Sequence, residues 1–306
     1  MLKKIGILIL ALFLILGTVV ACDDENGEET SGAGEEKSIT IGTKPMTEQY
    51  IIGEMIKILV EEKTEINVDM KSGIAGGTSN LHPAIISGEI DLYPEYTGTG
   101  WMFVLENDLI EDPDEMYKRT KEAYEEEFDL LWLDQYGFNN TFTLAVNAEK
   151  AKELGIETYS DLAENSEELV FGAEYDFYER DDGFNAIKNV YGFNFKDTKE
   201  MDIGLKYQAI ESGKVDVINA FSTDGLLDEY GLKVLEDDNN FFPSYYASTV
   251  VKNETLKEYP ELKDVLNMLA NNISEEEIRN INNKVESKNE DPEDVAYEFL
   301  EEKGLL

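Results

Sequence analysis

The amino-acid sequence predicts an α/β protein that contains two units of alternating strands and helices. Residues 38–93 follow the order strand, helix, strand, helix, strand, and residues 169–221 show a similar alternation. The second unit ends in VDVINAF (215–221), an apolar run typical of a strand buried in a parallel sheet. Strands joined by single helices favour parallel sheets made of βαβ units.

In the first unit, alternation of apolar and polar residues predicts the strands, and apolar residues at helical spacing predict the helices. The predicted elements are a strand at 38–43, a helix at 46–62, a strand at 65–71, a short helix ending at Gly88, and a strand at 90–93. Lys44-Pro45 ends the first strand, because proline holds the residue before it extended. Turn residues predict that DLYPEYTGTGW (91–101) forms a loop.

The same patterns predict the elements of the second unit and of the C-terminal part. The predicted elements of the second unit are a strand at 169–173, helices at 183–190 and 205–211, and a strand at 215–221. Further on, Ser274 and Glu277 have the spacing of a capping box. Asp291-Pro292 predicts the start of a last helix that stops at Gly304. A cleft between two such units is a common ligand site.

The first 37 residues are predicted to lie outside the folded body. Residues 1–21 have the charged start and the apolar run of a secretory signal peptide, and the run is short for the ~20 residues that a membrane span needs. The sequence VVAC (19–22) resembles the bacterial lipobox, which predicts a lipid anchor on Cys22. Residues 22–37 are rich in glycine, serine and acidic residues, so we expect a disordered tether. The body would then be extracytoplasmic and anchored to the cell membrane.

Acidic residues dominate the composition. There are 66 Asp and Glu against 26 Lys and Arg, and the net charge is −40. Such a surface repels nucleic acid and phosphate groups, so neither is expected as a partner. The excess favours a protein adapted to high salt, where screening weakens the repulsion among acidic groups. An ordinary acidic surface is the alternative.

The sequence offers only weak signals for catalysis, a metal or a cofactor. GIAGGTSN (73–80) lacks the Lys-Ser/Thr of a phosphate-binding loop, so a tight turn is the better interpretation. His82 has no neighbouring cysteine or nucleophile motif, so we expect a structural role. Two nearby carboxylates mean little among 66 acidic residues, although a hydrolytic pair stays open. We therefore expect neither a metal nor a cofactor.

Aromatic residues recur beside turns at separate places in the chain. They are Tyr93, Tyr96, Trp101, Tyr136, Phe221, Phe241, Phe242, Tyr245 and Tyr246. Each alone is compatible with a core role, but rings that converge from both units would form a cage. Because a quaternary ammonium group has no N–H to donate, a protein holds it by surrounding its charge with the negative faces of rings. Lys44 and Arg180 are candidate partners for a carboxylate on the same ligand.

Six segments together resemble the glycine betaine/proline/choline-binding proteins of ABC importers. They are IGTKPMTEQYIIGEM (41–55), GIAGGTSN (73–80), DLYPEYTGTGW (91–101), GFNNTFTLAV (137–146), RDDG (180–183) and VDVINAFSTDG (215–225). The resemblance implies a two-lobed periplasmic-binding-protein-like fold of type II, with the ligand in a cleft between the lobes. Lobe I would comprise residues 38–133 and 246–306, and lobe II residues 134–245.

The resemblance also implies a set of ligand-binding residues. The ligand cation would be enclosed by Tyr96, Tyr136, Phe221 and Tyr245, and it would face the main-chain oxygen of Asp134. The ligand carboxylate would be bound by Lys44, Thr99 and Arg180. Phe221 stands where the nearest branch of the family has a tyrosine, and the missing hydroxyl leaves the preferred ligand open. Tyr93 and Trp101 are left with core roles.

The expected function is the capture of glycine betaine, or a related quaternary-ammonium osmoprotectant, for the membrane permease of an ABC importer. Choline, carnitine and proline betaine are alternative ligands for the same fold. An alternative of another class is a lipid-anchored hydrolase with a carboxylate pair in the cleft. We expect a monomeric receptor that does not act as an enzyme.

Overall fold

The computed structural model describes residues 37–180 and 182–306, and there the predicted α/β class is confirmed. The predicted signal peptide, Cys22 and the tether as far as residue 36 lie outside the described residues. None of the helices in the described ranges is long and apolar enough to cross a membrane.

The described residues contain ten strands. They are β1 (Ser38–Gly42), β2 (Asn67–Lys71), β3 (Leu92–Tyr96), β4 (Leu130–Trp132), β5 (Phe142–Asn147), β6 (Val170–Glu174), β7 (Asp197–Met201), β8 (Val217–Phe221), β9 (Leu232–Val234) and β10 (Ala247–Lys252). The strands form two five-stranded sheets, with the order β2-β1-β3-β10-β4 in sheet A and β7-β6-β8-β5-β9 in sheet B.

The two sheets have the same arrangement. In sheet A, β1 pairs in parallel with β2 and β3, and β10 pairs antiparallel with β3 and β4. In sheet B, β6 pairs in parallel with β7 and β8, and β5 pairs antiparallel with β8 and β9. The two predicted units thus correspond to the parallel parts of the two sheets, except that β7 was not predicted.

Thirteen α-helices surround the sheets in the described part of the chain. They are α1 (Thr47–Lys63), α2 (Thr78–Ser87), α3 (Pro113–Phe128), α4 (Ala148–Leu154), α5 (Tyr159–Asn165), α6 (Tyr175–Glu179), α7 (Phe184–Tyr191), α8 (Lys206–Glu211), α9 (Leu226–Glu229), α10 (Asn253–Glu258), α11 (Leu262–Leu266), α12 (Glu275–Lys288) and α13 (Pro292–Glu302). The predicted capping box at the start of α12 is confirmed, and so is the Asp291 cap of α13.

Two segments, residues 133–141 and 235–246, join the sheets and run side by side. Asn139 and Tyr246 form an antiparallel bridge between them. The N–H of Asn140 donates to the carbonyl of Tyr245 at 3.0 Å. This bridge sets the register of the two segments, so that Phe142 and Tyr245 emerge beside each other.

The stretch DLYPEYTGTGW is not the loop that its turn residues predict. Leu92–Tyr96 form strand β3, and Thr99–Val104 form a turn of π-helix. Pro94 is tolerated because β1 pairs with β3 only at Leu92, which leaves this part of β3 with one free edge among the described residues. Gly98 allows close approach, since a Cβ there would lie 2.7 Å from the ring of Tyr245.

Tyr93 and Trp101 are buried, as their predicted core roles require. Tyr93 packs with Tyr124 and Trp132 in an apolar cluster on one side of sheet A. The imidazole of His82 lies against the rings of Tyr124 and Phe128, with centroid distances of 5.7 and 4.6 Å. These contacts fit the structural role expected for the histidine.

Candidate binding site

A cavity of about 440 Å³ lies between the parts of the chain that carry sheet A and sheet B. One wall comes from residues that follow β1 and β3 and from the first turn of α2. The other comes from the ends of β6 and β8 and from α6. The carboxyl ends of parallel strands are the usual place for ligands in α/β proteins, and the volume is in the range of small-molecule sites.

Beside the exposed rings of Phe103 and Tyr175, four buried or half-buried aromatic rings from both sheets line this cavity. They are Tyr96 at the end of β3, Phe142 at the start of β5, Phe221 at the end of β8, and Tyr245 in the second joining segment. The centroid of Phe142 lies 4.8 Å from that of Phe221 and 5.7 Å from that of Tyr245. The rings of Phe142 and Tyr245 are perpendicular, at 90°. The rings therefore face one space from different directions.

The hydroxyl groups of the two tyrosines are tied to buried carboxylates. The Tyr96 hydroxyl donates to Glu48 at 2.6 Å and accepts from the side-chain amide of Gln49 at 3.1 Å. The Tyr245 hydroxyl donates to Asp182 at 2.6 Å. These bonds fix the orientation of both rings and use their polar ends, which leaves the ring faces for contact with a ligand.

Two residues that the sequence placed at the site are not in the cavity wall. Tyr136 is 1% exposed, and its hydroxyl is hydrogen-bonded to Thr249 at 2.7 Å, inside the core of sheet A. Asp134 is exposed, in the first joining segment. Phe142, which sequence reasoning missed, occupies the cavity instead of Tyr136. The motif GFNNTF contained the signal, because its last residue, Phe142, opens β5 at the edge of the cavity.

Lys44 lines the cavity directly after β1, as predicted, but its ammonium group is already paired. It forms an ion pair with Glu95, whose other oxygen accepts from the Thr78 hydroxyl at 2.8 Å. Burial lowers the pKa of Lys44; the charge of Glu95 opposes this shift and that of Arg180 adds to it. The positive charges of Lys44 and Arg180 therefore repel each other across the cavity that both residues line.

Arg180 is held by a carboxylate two residues further on. Its Nε and Nη2 atoms each donate to Asp182 at 2.6 Å, one to each oxygen. Such bidentate pairs are strong and fix the guanidinium plane. Arg180 lines the cavity, together with Thr99. The structure thus brings together all three residues predicted to meet a carboxylate.

Cations of the protein lie over three of the four rings within the described residues. The Nζ atom of Lys44 is 4.7 Å from the centroid of Tyr96. The guanidinium carbon of Arg180 is 5.3 Å from the centroid of Phe142. The Nζ atom of Lys206 is 4.8 Å from the centroid of Phe221. Positive charge is thus favourable at these ring faces.

A second, smaller cavity of about 220 Å³ adjoins the first, and we call it the rear chamber. Both cavities are lined by Met46, Asn140 and Phe221. Lys206 lines only the rear chamber, so its ammonium group approaches Phe221 from that side. No sequence motif pointed to this chamber.

The fold and the interlobe cavity define a class, the type II periplasmic binding proteins, which hold a ligand between two α/β lobes. The chain belongs to the family of substrate-binding domains of ABC-type glycine betaine transport systems, whose family model matches residues 37–302. Members of this family bind small solutes outside the cytoplasm and are not enzymes.

Relatives within the family differ in the solutes for which they are named. The chain is 44% identical, over 96% of its length, to the ergothioneine transport permease/ergothioneine binding protein of Helicobacter pylori, and it spans about half of that relative, 52%. It is 36% identical to the carnitine transport binding protein of Listeria monocytogenes, with 90% of each chain covered.

A solved structure described as a glycine betaine/carnitine/choline ABC transporter is also similar. It is 36% identical, the TM-score is 0.75, and the match covers 87% of this chain and 98% of that one. The predicted family and fold are therefore confirmed.

Proposed function

We propose that this protein captures a betaine, a solute that carries both a quaternary ammonium group and a carboxylate, and delivers it to the permease of an ABC importer. Glycine betaine is the smallest such solute. The observation that carries the proposal is the single cavity in which four aromatic rings meet Lys44, Thr99 and Arg180.

The cation end of the ligand would be enclosed by Tyr96, Phe142, Phe221 and Tyr245. All but Phe221 are less than 9% exposed, so the contacts would be largely desolvated. A cation–π contact contributes about 0.5–1 kcal/mol when exposed and about 2 kcal/mol or more when desolvated. Desolvation also protects the contacts from screening by salt, which suits a receptor for osmoprotectants.

The carboxylate end would face Lys44, Thr99 and Arg180. Glu95 and Asp182 already neutralise the two cations, so the ligand carboxylate would share them. This pairing keeps two cations at the carboxylate end of the cavity in a chain of net charge −40. It also leaves the cavity tolerant of choline, which has no carboxylate.

The choice among quaternary-ammonium solutes is a separate question. Glycine betaine, carnitine, choline and proline betaine all present a quaternary ammonium group to the four rings. Ergothioneine, a betaine with a sulfur-containing imidazole ring, is a further candidate. The identity of 44% to the ergothioneine-binding relative and the presence of the rear chamber favour a solute larger than glycine betaine.

We further propose the setting in which the receptor works. Residues 38–133 and 246–306 would form lobe I, and residues 134–245 lobe II, a division that follows the membership of sheets A and B. A lipid on Cys22 and a tether over residues 22–37 would hold a monomer at the outer face of the cell membrane. The hydrolase alternative is not retained, because the family consists of binding proteins.

Calorimetric titration of the full-length protein at high salt, with glycine betaine and then choline, tests the proposal. The decisive variant is Arg180→Ala, which leaves the Asp182 carboxylate without its cation. We expect betaine affinity to fall at least tenfold, because the ligand carboxylate loses its partner and meets a like charge. Choline affinity should stay within threefold or improve.

Arg119→Ala is the matched control, because Arg119 also pairs with a carboxylate, Glu115, but on the exposed surface of α3. Arg119→Ala should change the affinity for neither glycine betaine nor choline. If folded wild-type protein binds neither ligand and none of the other betaines, the proposed function is wrong. If Arg180→Ala weakens both ligands equally, Arg180 shapes the cavity and does not select the carboxylate.

A further inference from the structure

The rear chamber carries an unusual set of polar atoms. Oδ1 of Asn140, Oδ1 of Asn282, Oε2 of Glu286 and Nζ of Lys206 are buried there without a hydrogen-bond partner among residues 37–180 and 182–306. Their side chains come from both sheet A and sheet B regions. Buried polar atoms nearly always have a partner, so four unmatched ones in one small chamber require an explanation.

The orientation of the two amide groups follows from their contacts. Nδ2 of Asn282 donates to the carbonyl of Thr223 at 2.9 Å, and Nδ2 of Asn140 donates to Glu48 at 2.7 Å. Both partners are acceptors, so the amide nitrogens must face them. Each amide oxygen is therefore left to accept a hydrogen bond from a group in the chamber.

Lys206 supplies the complementary donor. It is 1% exposed, and its ammonium nitrogen lies 3.6 Å from both Glu174 and Asp224. These carboxylates balance its charge, but they are beyond ordinary hydrogen-bond distance. The ammonium group can therefore donate to an acceptor that enters the chamber.

We propose that the rear chamber receives the side group of a betaine larger than glycine betaine, an uncharged polar group with both an N–H or O–H donor and an acceptor. The inference rests on the proposed function, because Phe221 lines both cavities and would place the side group next to the cation. Glu48 and Asp224 disfavour an anionic group. An apolar group would leave every unmatched atom without a partner. A neutral imidazole ring meets these requirements.

Three probes with the same trimethylammonium and carboxylate groups test the proposal. They are glycine betaine, which has no side group; Nα-trimethylhistidine, which has an imidazole; and Nα-trimethylphenylalanine, which has an apolar ring. Dissociation constants would be measured by calorimetry with the full-length protein at pH 8, where the free imidazole is neutral. We expect the histidine betaine to bind at least tenfold more tightly than the phenylalanine betaine and than glycine betaine.

Lys206→Met tests the chamber itself, since it keeps the length of the side chain and removes the donors. In Lys206→Met the preference for the histidine betaine over the phenylalanine betaine should fall below threefold. Asn282→Leu should have the same effect on that preference and serves if Lys206→Met does not fold. Because the readout is a ratio, a general loss of binding does not imitate it.

The remaining outcomes are distinct. If glycine betaine binds and the histidine betaine binds no more tightly than the phenylalanine betaine, the chamber holds only water and the inference is wrong, while the proposed function stands. If the folded protein binds none of the three probes, the inference is wrong, and the proposed function fails as well if choline, carnitine, proline betaine and ergothioneine also do not bind.

Discussion

The hydroxyl of Tyr245 donates a hydrogen bond of 2.6 Å to the carboxylate of Asp182, deep in the cavity wall. The same carboxylate holds Arg180 through two contacts. Burial, with the charge of Asp182, raises the pKa of Tyr245 well above its ordinary value, so the phenol remains the donor. One carboxylate thus orients both an aromatic ring and a guanidinium group that line the cavity.

Removing the Tyr245 hydroxyl should cost stability more than affinity. Tyr245→Phe keeps the ring but leaves part of the Asp182 carboxylate unsatisfied. Hydrogen bonds to charged groups contribute about 1.5–3 kcal/mol, so we expect the free energy of unfolding to fall by about that amount in urea titrations. Affinity for glycine betaine should change less than threefold. Tyr246→Phe, at the next residue, is the control for the loss of a tyrosine hydroxyl. A tenfold loss of affinity in Tyr245→Phe would instead mean that the Tyr245 hydroxyl contacts the ligand.

The role of Phe142 can be separated from its volume. Phe142→Leu retains a large apolar side chain but removes the ring face, so we expect glycine betaine to bind at least tenfold more weakly in calorimetric titrations. Tyr136→Phe is the matched control, because Tyr136 lies outside the cavity and keeps its ring; its affinity should be unchanged. Equal affinities in wild type and Phe142→Leu would contradict the cage, and a loss in Tyr136→Phe would mean that the bond from the Tyr136 hydroxyl to Thr249 supports binding.

Turn residues placed Tyr96, Phe221 and Tyr245 among nine aromatic candidates, and the resemblance then assigned these three to the cage. The resemblance assigned Tyr136, which precedes GFNNT, and nothing pointed to Phe142, which follows it; only the register of the joining segments decides which ring reaches the cavity. That register depends on the bridge between Asn139 and Tyr246, which are far apart in the chain. Local patterns do not encode such a pairing.

The same limit applies to the charges of the site and to the order of the strands. Asp182 follows Arg180 closely in RDDG, whereas Glu95 is 51 residues from Lys44 and meets it only after β1 and β3 align. The α/β pattern predicted five of the six parallel strands, with small errors at their ends. It missed β7, whose residues Asp197–Met201 are mostly polar and exposed and show no apolar alternation. The return of the chain to sheet A through β10 followed only from the resemblance, since no local signal distinguishes this strand from one in sheet B.

Gly225 is expected to control the contact between the sheet B region and α12. A Cβ on this residue would lie 2.4 Å from the backbone nitrogen of Asn283. Gly225→Ala must therefore push the loop away from the helix and break the bond from the Asn283 side chain to the Gly225 carbonyl. Overpacking of this kind costs about 1–3 kcal/mol, so we expect a lower melting temperature and weaker ligand binding.

Gly204→Ala is the control for Gly225→Ala. A Cβ on Gly204 would have no neighbour within 4 Å among the described residues, and melting should be unchanged. Small-angle scattering of the ligand-free protein adds a second readout: Gly225→Ala should have a larger radius of gyration if the loop contact holds the two regions together. Identical melting temperatures of wild type and Gly225→Ala would show that α12 can move away from residue 225 without loss of stability.

The acidic surface predicts a stability that rises with salt. At a net charge of −40, repulsion opposes the compact state, and raising the ionic strength from 0.1 to 1 M shortens the screening length from about 10 to about 3 Å. The melting temperature should therefore increase with NaCl. Replacing Glu125, Glu126 and Glu127, which are exposed on α3, by glutamine should reduce the slope. A melting temperature independent of salt in both proteins would mean that the surface is an ordinary acidic one and not an adaptation to high salt.

The pH dependence of stability should carry a contribution from Glu286. Burial and the charge of Asp224, with a smaller effect of Glu48, raise the pKa of Glu286 from 4.5 to about 8. Between these values the folded protein keeps a proton that the unfolded chain has lost. The free energy of unfolding should therefore fall as the pH rises from about 4.5 to 8, by at most about 1.4 kcal/mol per pH unit from this group.

Glu286→Gln isolates this contribution, because the amide resembles the protonated carboxyl and does not titrate. Urea unfolding of both proteins between pH 5 and pH 8.5, taken as a difference, cancels the other titrating groups. Wild type should lose stability relative to the variant as the pH rises, and the difference should level off above about pH 8. Glu276→Gln, an exposed change on the same helix, controls for the lost charge. A constant difference for Glu286→Gln across this range would mean that Glu286 is ionised throughout and that solvent or a counter-charge reaches the rear chamber.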